Sequence, residues 1–469
     1  MRRIAIALCL LCACQMAAAA DVVGPAQARR IGADVRDILR RTGTPGATIA
    51  IAVQGRVVYS HSWGLRDRER HLPATRDTHY EIGSITKQFT AAAILQLQEA
   101  GKLHIDDTLA TYLPDAPHAG EVTLRQLLSH TSGMPNYFDA PDIERIATRP
   151  IAFDRLIALV AGKPLDFAPG SEWAYSNTGY ILLGRVIELV SHESYRHYVQ
   201  THLLDPTGMS QTFHVAEETQ LPLMAIGYRR RNGRTERAPT ISDSFGWSAG
   251  HLVSTVDDLQ KWNEALRNGR IVTAADYASM STSVKTTDGA DAGYGFGLFV
   301  DSIDDQPRVG HTGGSFGFTS ADEYFPKQGL QIIAFTNNVE DPEPGERITT
   351  AIFEDLNPEI AAASHRPAPG EDPARTASLR VLFAGLQTGA DHSDSLNDRL
   401  NGKLKTGLAQ HLQEKFAPFG HPTAFVFKGQ RSAADLQWFD YVIQFGPGSE
   451  LKFSIGVDGA EKIASLSYG

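Results

Sequence analysis

The feature that most constrains this 469-residue chain is where its strand-forming segments fall. Ala47 to Val53 is rich in β-formers, Gln54-Gly55 is a turn pair, and Arg56 to Trp63 resumes the strand pattern, so a hairpin is predicted. Comparable runs return only late, at Tyr294 to Val300, Thr319 to Phe325 and Leu330 to Thr336. Between the two groups, helix and loop signals dominate. Ser84 to Ala100 is rich in good helix formers and closes at Gly101, a natural residue just past a helix end. Ahead of the hairpin, Ile31, Val35, Ile38 and Leu39 share one helical face. Strands at both ends with helices between them predict an α+β domain, an antiparallel sheet flanked by helices with a helical insertion.

Between Ala361 and Ala374 the sequence AAASHRPAPGEDPA mixes Pro, Ala and charge with no apolar period, which predicts a linker over 361–375. Beyond it, Leu379 to Phe416 is predicted helical. Ala424 to Lys428, Trp438 to Phe445, Leu451 to Val457 and Ile463 to Tyr468 are predicted strands. That makes a small C-terminal α+β domain over 376–469, of unknown role, which resembles the cone-shaped domains of the NTF2-like kind.

At the other end, Arg2 and Arg3 precede the apolar run Ile4 to Ala13 and the small-residue stretch Ala17 to Ala20, the pattern of a secretory signal peptide over 1–20. The run is shorter than the roughly 20 residues that span a bilayer, and no later run reaches that length. Leu11-Cys12-Ala13-Cys14 is also lipobox-like, so a lipid anchor at Cys14 is the alternative to simple cleavage. Either route predicts an exported protein, periplasmic or secreted. All three cysteines (Cys9, Cys12 and Cys14) lie in this segment. The remaining chain, 21 onward, therefore has no disulfide, thiol nucleophile or thiolate metal site, and its core must suffice. The formal net charge is −10, the wrong sign for a chain that binds nucleic acid by neutralising phosphates. One basic cluster, Arg229 to Arg231 with Arg234 and Arg237, straddles Asn232-Gly233 and reads as a solvated hairpin.

The chemistry-bearing candidates begin with Ser-x-x-Lys, which occurs twice, as Ser84-Ile85-Thr86-Lys87 and Ser449-Glu450-Leu451-Lys452. Three residues apart on a helix, two side chains share a face; on a strand they face opposite ways. Ser449 opens a predicted strand, so that pair reads as coincidence. Ser84 follows Gly83 at a predicted helix start, where its backbone N–H is among the unpaired donors of the first turn. Such a serine is either an N-cap or a nucleophile whose own N–H can stabilise an oxyanion. Two further motifs follow in order: Tyr175-Ser176-Asn177 after Pro169-Gly170, and His311-Thr312-Gly313-Gly314 ahead of the run at Thr319. His192 and His197 are five apart, off one helical face, and no His-Glu-x-x-His is present, so no metal site is predicted.

The order Ser-x-x-Lys, Tyr-x-Asn, His-Thr-Gly resembles the serine β-lactamase and penicillin-binding protein family, in its class C β-lactamase and D,D-carboxypeptidase branch. Leu127 through Pro135, Pro169 through Asn177 and Gly250 through Thr255 resemble the same branch, and the resemblance runs from about Thr44 to Phe353. It implies a β-lactamase/transpeptidase-like domain over 21–360 and a hydrolase that needs no cofactor. By the resemblance, Ser84 attacks a carbonyl and forms an acyl-enzyme. Lys87 and Tyr175 are the candidate proton acceptors, a choice the sequence leaves open. Asn177 holds the substrate's amide side chain, Thr312 and Gly313 help bind it, and the N–H groups of Ser84 and Gly314 form the oxyanion hole.

Where the family's β-lactamases carry Lys at the start of the third motif, this chain has His311, whose ordinary pKa is about 6.5. Its attraction for a substrate carboxylate is therefore conditional. The His-Thr-Gly form looks more like D,D-carboxypeptidase, D-peptidase and esterase-like members. The expected substrate is accordingly a small peptide, cell-wall peptides included, with an ester, a β-lactam, or acylation without turnover as alternatives. Tyr137 and Trp247 are candidates to line the cleft or to pack in the core.

Overall fold

A computed structural model describes residues 23–215, 221–231, 233–339, 343–390, 394–433 and 435–468. The segment expected to be a leader, its three cysteines and Asn232 lie outside these.

The Pro25–Thr42 helix buries Ile31, Val35, Ile38 and Leu39, as its spacing requires, and stops at Gly43, whose positive φ lets its N–H return to Leu39 O. Strand β1 (Gly46–Val53) is buried on both faces except at its last residue. It pairs antiparallel with β2 (Arg56–Asp67) through Gln54-Gly55, both at positive φ (49° and 79°), the twist-matching hairpin turn. β3 (Leu72–Pro73) closes that edge. The middle of the chain adds short strands: β4 (Tyr80–Glu81), β5 (Phe213–His214), the hairpin β6 (Tyr228–Arg231) and β7 (Arg234–Arg237), and β8 (Leu252–Ser254), with β8 lying between β4 and β5. The hairpin arginines are spent locally, Arg229 on Glu144 and Glu236, Arg237 on Glu69.

The late run supplies β9 (Phe299–Ile303), β10 (Gln306–Ser315), β11 (Phe318–Phe325) and β12 (Leu330–Thr336). β12 pairs antiparallel with β1, so the two ends of the domain meet in the middle of one sheet, ordered β3-β2-β1-β12-β11-β10-β9. Strand alternation sorts the core. Ile49, Ile51, Ile332 and Ala334 face the Pro25–Thr42 and Pro344–Leu356 helices. Ala50, Ile333 and Phe335 face the larger helical layer, which includes the Thr86–Glu99, Asn177–Ser191 and Val256–Arg267 helices.

Two expectations need correcting. The strand expected from Tyr294 begins only at Phe299, because Gly295 and Gly297 interrupt the run and turn it into a loop against the site. The expected linker is helical in its first residues: Pro358 starts a helix that continues through the alanines to Ser364. After it, the Ala368 N–H reaches Phe427 O, 2.8 Å away, and ties the linker to the second domain.

That domain has its own core. Helix Pro373–Thr388 lays Leu379, Leu382, Phe383 and Leu386 on a four-stranded antiparallel meander, β13 (Ala424–Ala433), β14 (Leu436–Gly446), β15 (Ser449–Val457) and β16 (Ile463–Tyr468). Asp398–Lys403 and Ala409–Phe416 complete the helical layer, whose predicted single stretch is broken after Gly389. No helix among the described residues is long and apolar enough to cross a membrane.

Candidate active site

The site begins with a turn that only glycine permits. From β4 the chain passes Ile82 into a tight helical turn, Gly83–Ile85, and then the Thr86–Glu99 helix, so Ser84 sits one residue into the turn rather than on the α-helix proper. Gly83 has φ +51°, and a Cβ there would come within 2.7 Å of Gly314 O and 2.8 Å of Gly314 N. A Cβ on Gly313 would meet Ile82 O at 2.1 Å. The two glycines let the Ser84 turn lie against β10, which brings the Ser84 and Gly314 backbones side by side. Ser320 Oγ donates to Ile82 O (2.8 Å) and the Ile82 N–H to Leu252 O (2.9 Å), pinning the turn from both sides.

One turn on, the Lys87 side chain is fully buried. Its Nζ lies 3.1 Å from Ser84 Oγ, 2.8 Å from Asn177 Oδ1 and 2.6 Å from Ala249 O. None of these partners is a carboxylate, and burial pushes the ammonium well below its ordinary pKa. The two carbonyl oxygens can only accept. A neutral amine donates its two hydrogens to them and turns its lone pair to Ser84, whose hydroxyl then donates to it. Asn177 is oriented by Asn136, whose Oδ1 lies 3.1 Å from Asn177 N and 3.4 Å from its Nδ2.

Ala249 O reaches Lys87 because the backbone kinks at Trp247 (φ 33°, ψ −119°). Thr90 Oγ1 donates to Ser248 O (2.6 Å) and Ser248 Oγ to Tyr180 O (2.9 Å), holding the kink. Sequence reasoning reached neither Ala249, whose contribution is a backbone carbonyl without a residue signature, nor Asn136. The only available hint of Asn136 was its place beside Pro135 in the Leu127–Pro135 motif.

Tyr175 lies over His130, ring centroids 4.4 Å apart, and Lys87 Nζ is 4.7 Å from the Tyr175 ring centre. Its hydroxyl oxygen is buried and makes no well-aligned hydrogen bond. Burial raises its pKa above the ordinary phenol value; the nearby Ser84 hydroxyl partly offsets this and the Glu343 carboxylate adds to it. Lys87 and Tyr175 are thus shifted in opposite directions, which sorts a base from an acid.

His311 is buried on β10 and both its ring nitrogens are engaged. Nδ1 faces Thr312 O, so it carries the hydrogen, and Nε2 accepts from the Tyr294 hydroxyl at 2.8 Å. Burial, chiefly, pushes its pKa down to about 3, so it is neutral near pH 7. The conditional charge expected of it is absent there. A cavity of about 190 Å³ opens beside His311 and Thr312, and its Arg308 is already bound to Asp301 (2.7 Å), Glu323 (2.6 Å) and Glu346 (3.1 Å). Thr312 is half-buried and Gly314 exposed at the strand end beside Ser84.

The remaining candidates resolve toward structure. Tyr137 is fully buried and donates to Phe245 O at 2.7 Å, a core position. Trp247 packs its ring on Phe153 and Tyr195. Ser449 is buried and Lys452 exposed on β15, opposite faces of one strand. His192 caps a helix end at φ +63°, and His197 lies 3.6 Å from Glu193.

The Beta-lactamase family model matches residues 31–357. Among curated proteins, penicillin-binding protein 4* of Bacillus subtilis is 27% identical over 81% of this chain and 87% of its own length. Among solved structures, a D-stereospecific amidohydrolase from Streptomyces sp. is 28% identical, covers 66% of this chain and 94% of its own, and superposes with a TM-score of 0.59. The octameric penicillin-binding protein homologue of Pyrococcus abyssi, 23% identical, shares the fold over 92% of this chain and 96% of its own at a TM-score of 0.64. A match over most of the chain, with a serine, a buried lysine and a tyrosine converging at one cleft, makes this chain a member of the Beta-lactamase family of serine hydrolases.

Proposed function

We propose that this protein is an exported amide hydrolase of the D,D-carboxypeptidase or D-peptidase type, working through an acyl-enzyme on Ser84. The observation that carries the reading is the buried Lys87 Nζ, 3.1 Å from Ser84 Oγ with only carbonyl oxygens as its other hydrogen-bond partners. As a neutral amine, Lys87 takes the Ser84 proton while Oγ bonds to the substrate carbonyl carbon. The N–H groups of Ser84 and Gly314 hold the resulting oxyanion. Tyr175, kept protonated by its raised pKa, gives its proton to the departing amine as the C–N bond breaks, and Lys87⁺ restores it. Water then adds to the ester, Lys87 again accepting the proton, and Ser84 leaves with a proton returned from the same pair.

Asn177 orients Lys87 and the substrate amide. His311, neutral and held by Tyr294, shapes the cleft beside Thr312 and Gly313 rather than anchoring a carboxylate by charge. Arg308 is matched by three carboxylates, so neither group supplies a fixed cation for a free carboxylate or a β-lactam. Within the peptidase reading, that favours D-configured amides and peptide bonds without a free terminal carboxylate over true carboxypeptidase substrates, in keeping with the similarity to a D-stereospecific amidohydrolase. The same neutral cleft suits an ester, which is the second reading. The Arg2–Ala20 leader supports action outside the cytoplasm.

Purified protein assayed on D-alanyl peptides, D-amino-acid amides, p-nitrophenyl esters and a chromogenic cephalosporin tests the order of preference. Turnover of D-configured amides above cephalosporin is expected. Ester hydrolysis with no amide turnover would make the esterase reading the correct one.

A further inference from the structure

A second polar cluster, far from Ser84, lies where the two domains meet. Asp304 comes from the tight turn between β9 and β10, where it and Asp305 both have positive φ (50° and 58°). Glu354 comes from the end of the Pro344–Leu356 helix, His365 from the residue after the Pro358–Ser364 helix, and Glu450 from β15 of the C-terminal domain. Five residues of β10, Gln306 to Gly310, separate the Asp304 turn from His311, about 17 Å at strand rise, so the cluster is no part of the acyl-transfer site.

Three of these groups converge on one point, and Glu450 lies beside His365. Single donor atoms of Asp304, Glu354 and His365 lie within 4.8 Å of one another. His365 Nε2 is 3.9 Å from Asp304 Oδ1, 3.9 Å from Glu354 Oε1 and 3.3 Å from Glu450 Oε2. Ligands bound tetrahedrally at zinc's bond lengths of about 2.0–2.1 Å are about 3.3 Å apart along each edge, so a small contraction makes this a coordination shell.

Two observations point to a ligand rather than to a simple ion-pair network. The Asp304 side chain is only 1% exposed, yet its Oδ2 has no hydrogen-bond partner among the described residues. His365 Nε2 is buried among three carboxylates and is aligned for a hydrogen bond with none of them. The charge is also unbalanced, three carboxylates against one imidazole.

We propose that Asp304, Glu354 and His365 bind a divalent cation of the zinc class, with Glu450 of the C-terminal domain beside His365, and that the cation fastens the C-terminal domain to the hydrolase domain. One imidazole with carboxylate oxygens and no thiolate suits zinc, with manganese next. The linker histidine is then a ligand that fixes where the linker runs. Beside it, Gly448 of the β14–β15 turn packs so closely on the Pro344–Leu356 helix that a Cβ would come within 1.9 Å of Arg347 O. The domains thus already meet there, and the cation closes the contact.

The test uses the full-length chain, treated with chelator and titrated with zinc and with manganese by calorimetry and native mass spectrometry, beside Asp304→Asn and His365→Gln. The wild type is expected to bind one zinc ion and to gain thermal stability on doing so. Each variant is expected to bind at least about tenfold more weakly, while keeping its circular dichroism spectrum and its turnover of the best substrate. Absence of stoichiometric binding by the wild type, or binding undiminished in both variants (as at the surface pair His197 and His202), would overturn the proposal.

Discussion

Lys87 carries most of the chemical argument, and its protonation has a definite sign. Its folded pKa is depressed by burial, whereas an unfolded lysine titrates near 10.4. Between these values the unfolded chain binds one more proton, so stability rises with pH across the window and falls as pH drops toward the folded value. Activity follows the neutral amine: kcat/KM should rise with pH along a limb set by Lys87 and then hold level. Tyr175 is shifted upward, so no alkaline fall is expected below about pH 10. His311, held near 3, should leave no inflection around 6.5; a pH–rate profile that bends there and loses the bend in His311→Gln would contradict this. Replacing Lys87 by Ala should lower kcat by about 10²–10⁴-fold, the range for loss of a positioned base. At this scale the sequence was legible where function needs a particular side chain. Ser84, Lys87, Tyr175 and Asn177 stood out by type and spacing, and they converge. Ala249 did not, because the group that receives the Lys87 hydrogen bond is a carbonyl that any residue carries.

At the scale of elements, the contact between the Ser84 turn and β10 decides whether an oxyanion can be held. Gly83→Ala should fail twice, through a positive φ that alanine resists and through a Cβ 2.7 Å from Gly314 O. We expect about 1–3 kcal/mol of lost stability, seen in thermal melts, and a kcat loss of about 10²–10³-fold, as for a missing oxyanion donor. Behind the site, Asp322 on β11 accepts from Gln88 (3.1 Å), Asn263 (2.6 Å) and Gln331 (2.6 Å), tying the lysine's helix to the sheet and to the Val256–Arg267 helix. Gln88 cannot flip to compensate, since its Oε1 accepts from Trp262 Nε1. Asp322→Asn sets an N–H against an N–H and should cost about 1–3 kcal/mol by denaturant unfolding; an unchanged midpoint would show the network to be slack. None of this could be read beforehand, because buried amide and carboxylate partners come from distant segments. The hairpin β1–β2 and strand β12 were readable because β-rich runs bounded by turns have local causes. The Tyr294 loop misled because its aromatics mimic a strand while its glycines prevent one.

For the whole molecule, the governing fact is two separate apolar cores, one on Leu379, Phe383 and Phe453, the other spread over both faces of the larger sheet. The chain should therefore unfold in calorimetry with more than one transition, and a trace that fits a single two-state event would show the domains to be energetically fused. The Pro- and charge-rich composition marked the division between them, but not that the alanines ahead of His365 would form a helix. Long-range organisation escaped sequence reading most where it joins the domains, since Asp304, Glu354 and Glu450 carry no motif. The meeting of β1 with β12, by contrast, follows from strands reserved for the two ends of one domain.

A Ser84 acyl-enzyme formed with the help of a neutral Lys87 can be caught by quenched-flow intact-mass measurement with an activated ester, followed by peptide mapping. A transient acyl adduct is expected on the peptide containing Ser84, absent in Ser84→Ala and formed far more slowly in Lys87→Ala. An adduct on another residue, or turnover that survives in Ser84→Ala, would contradict it.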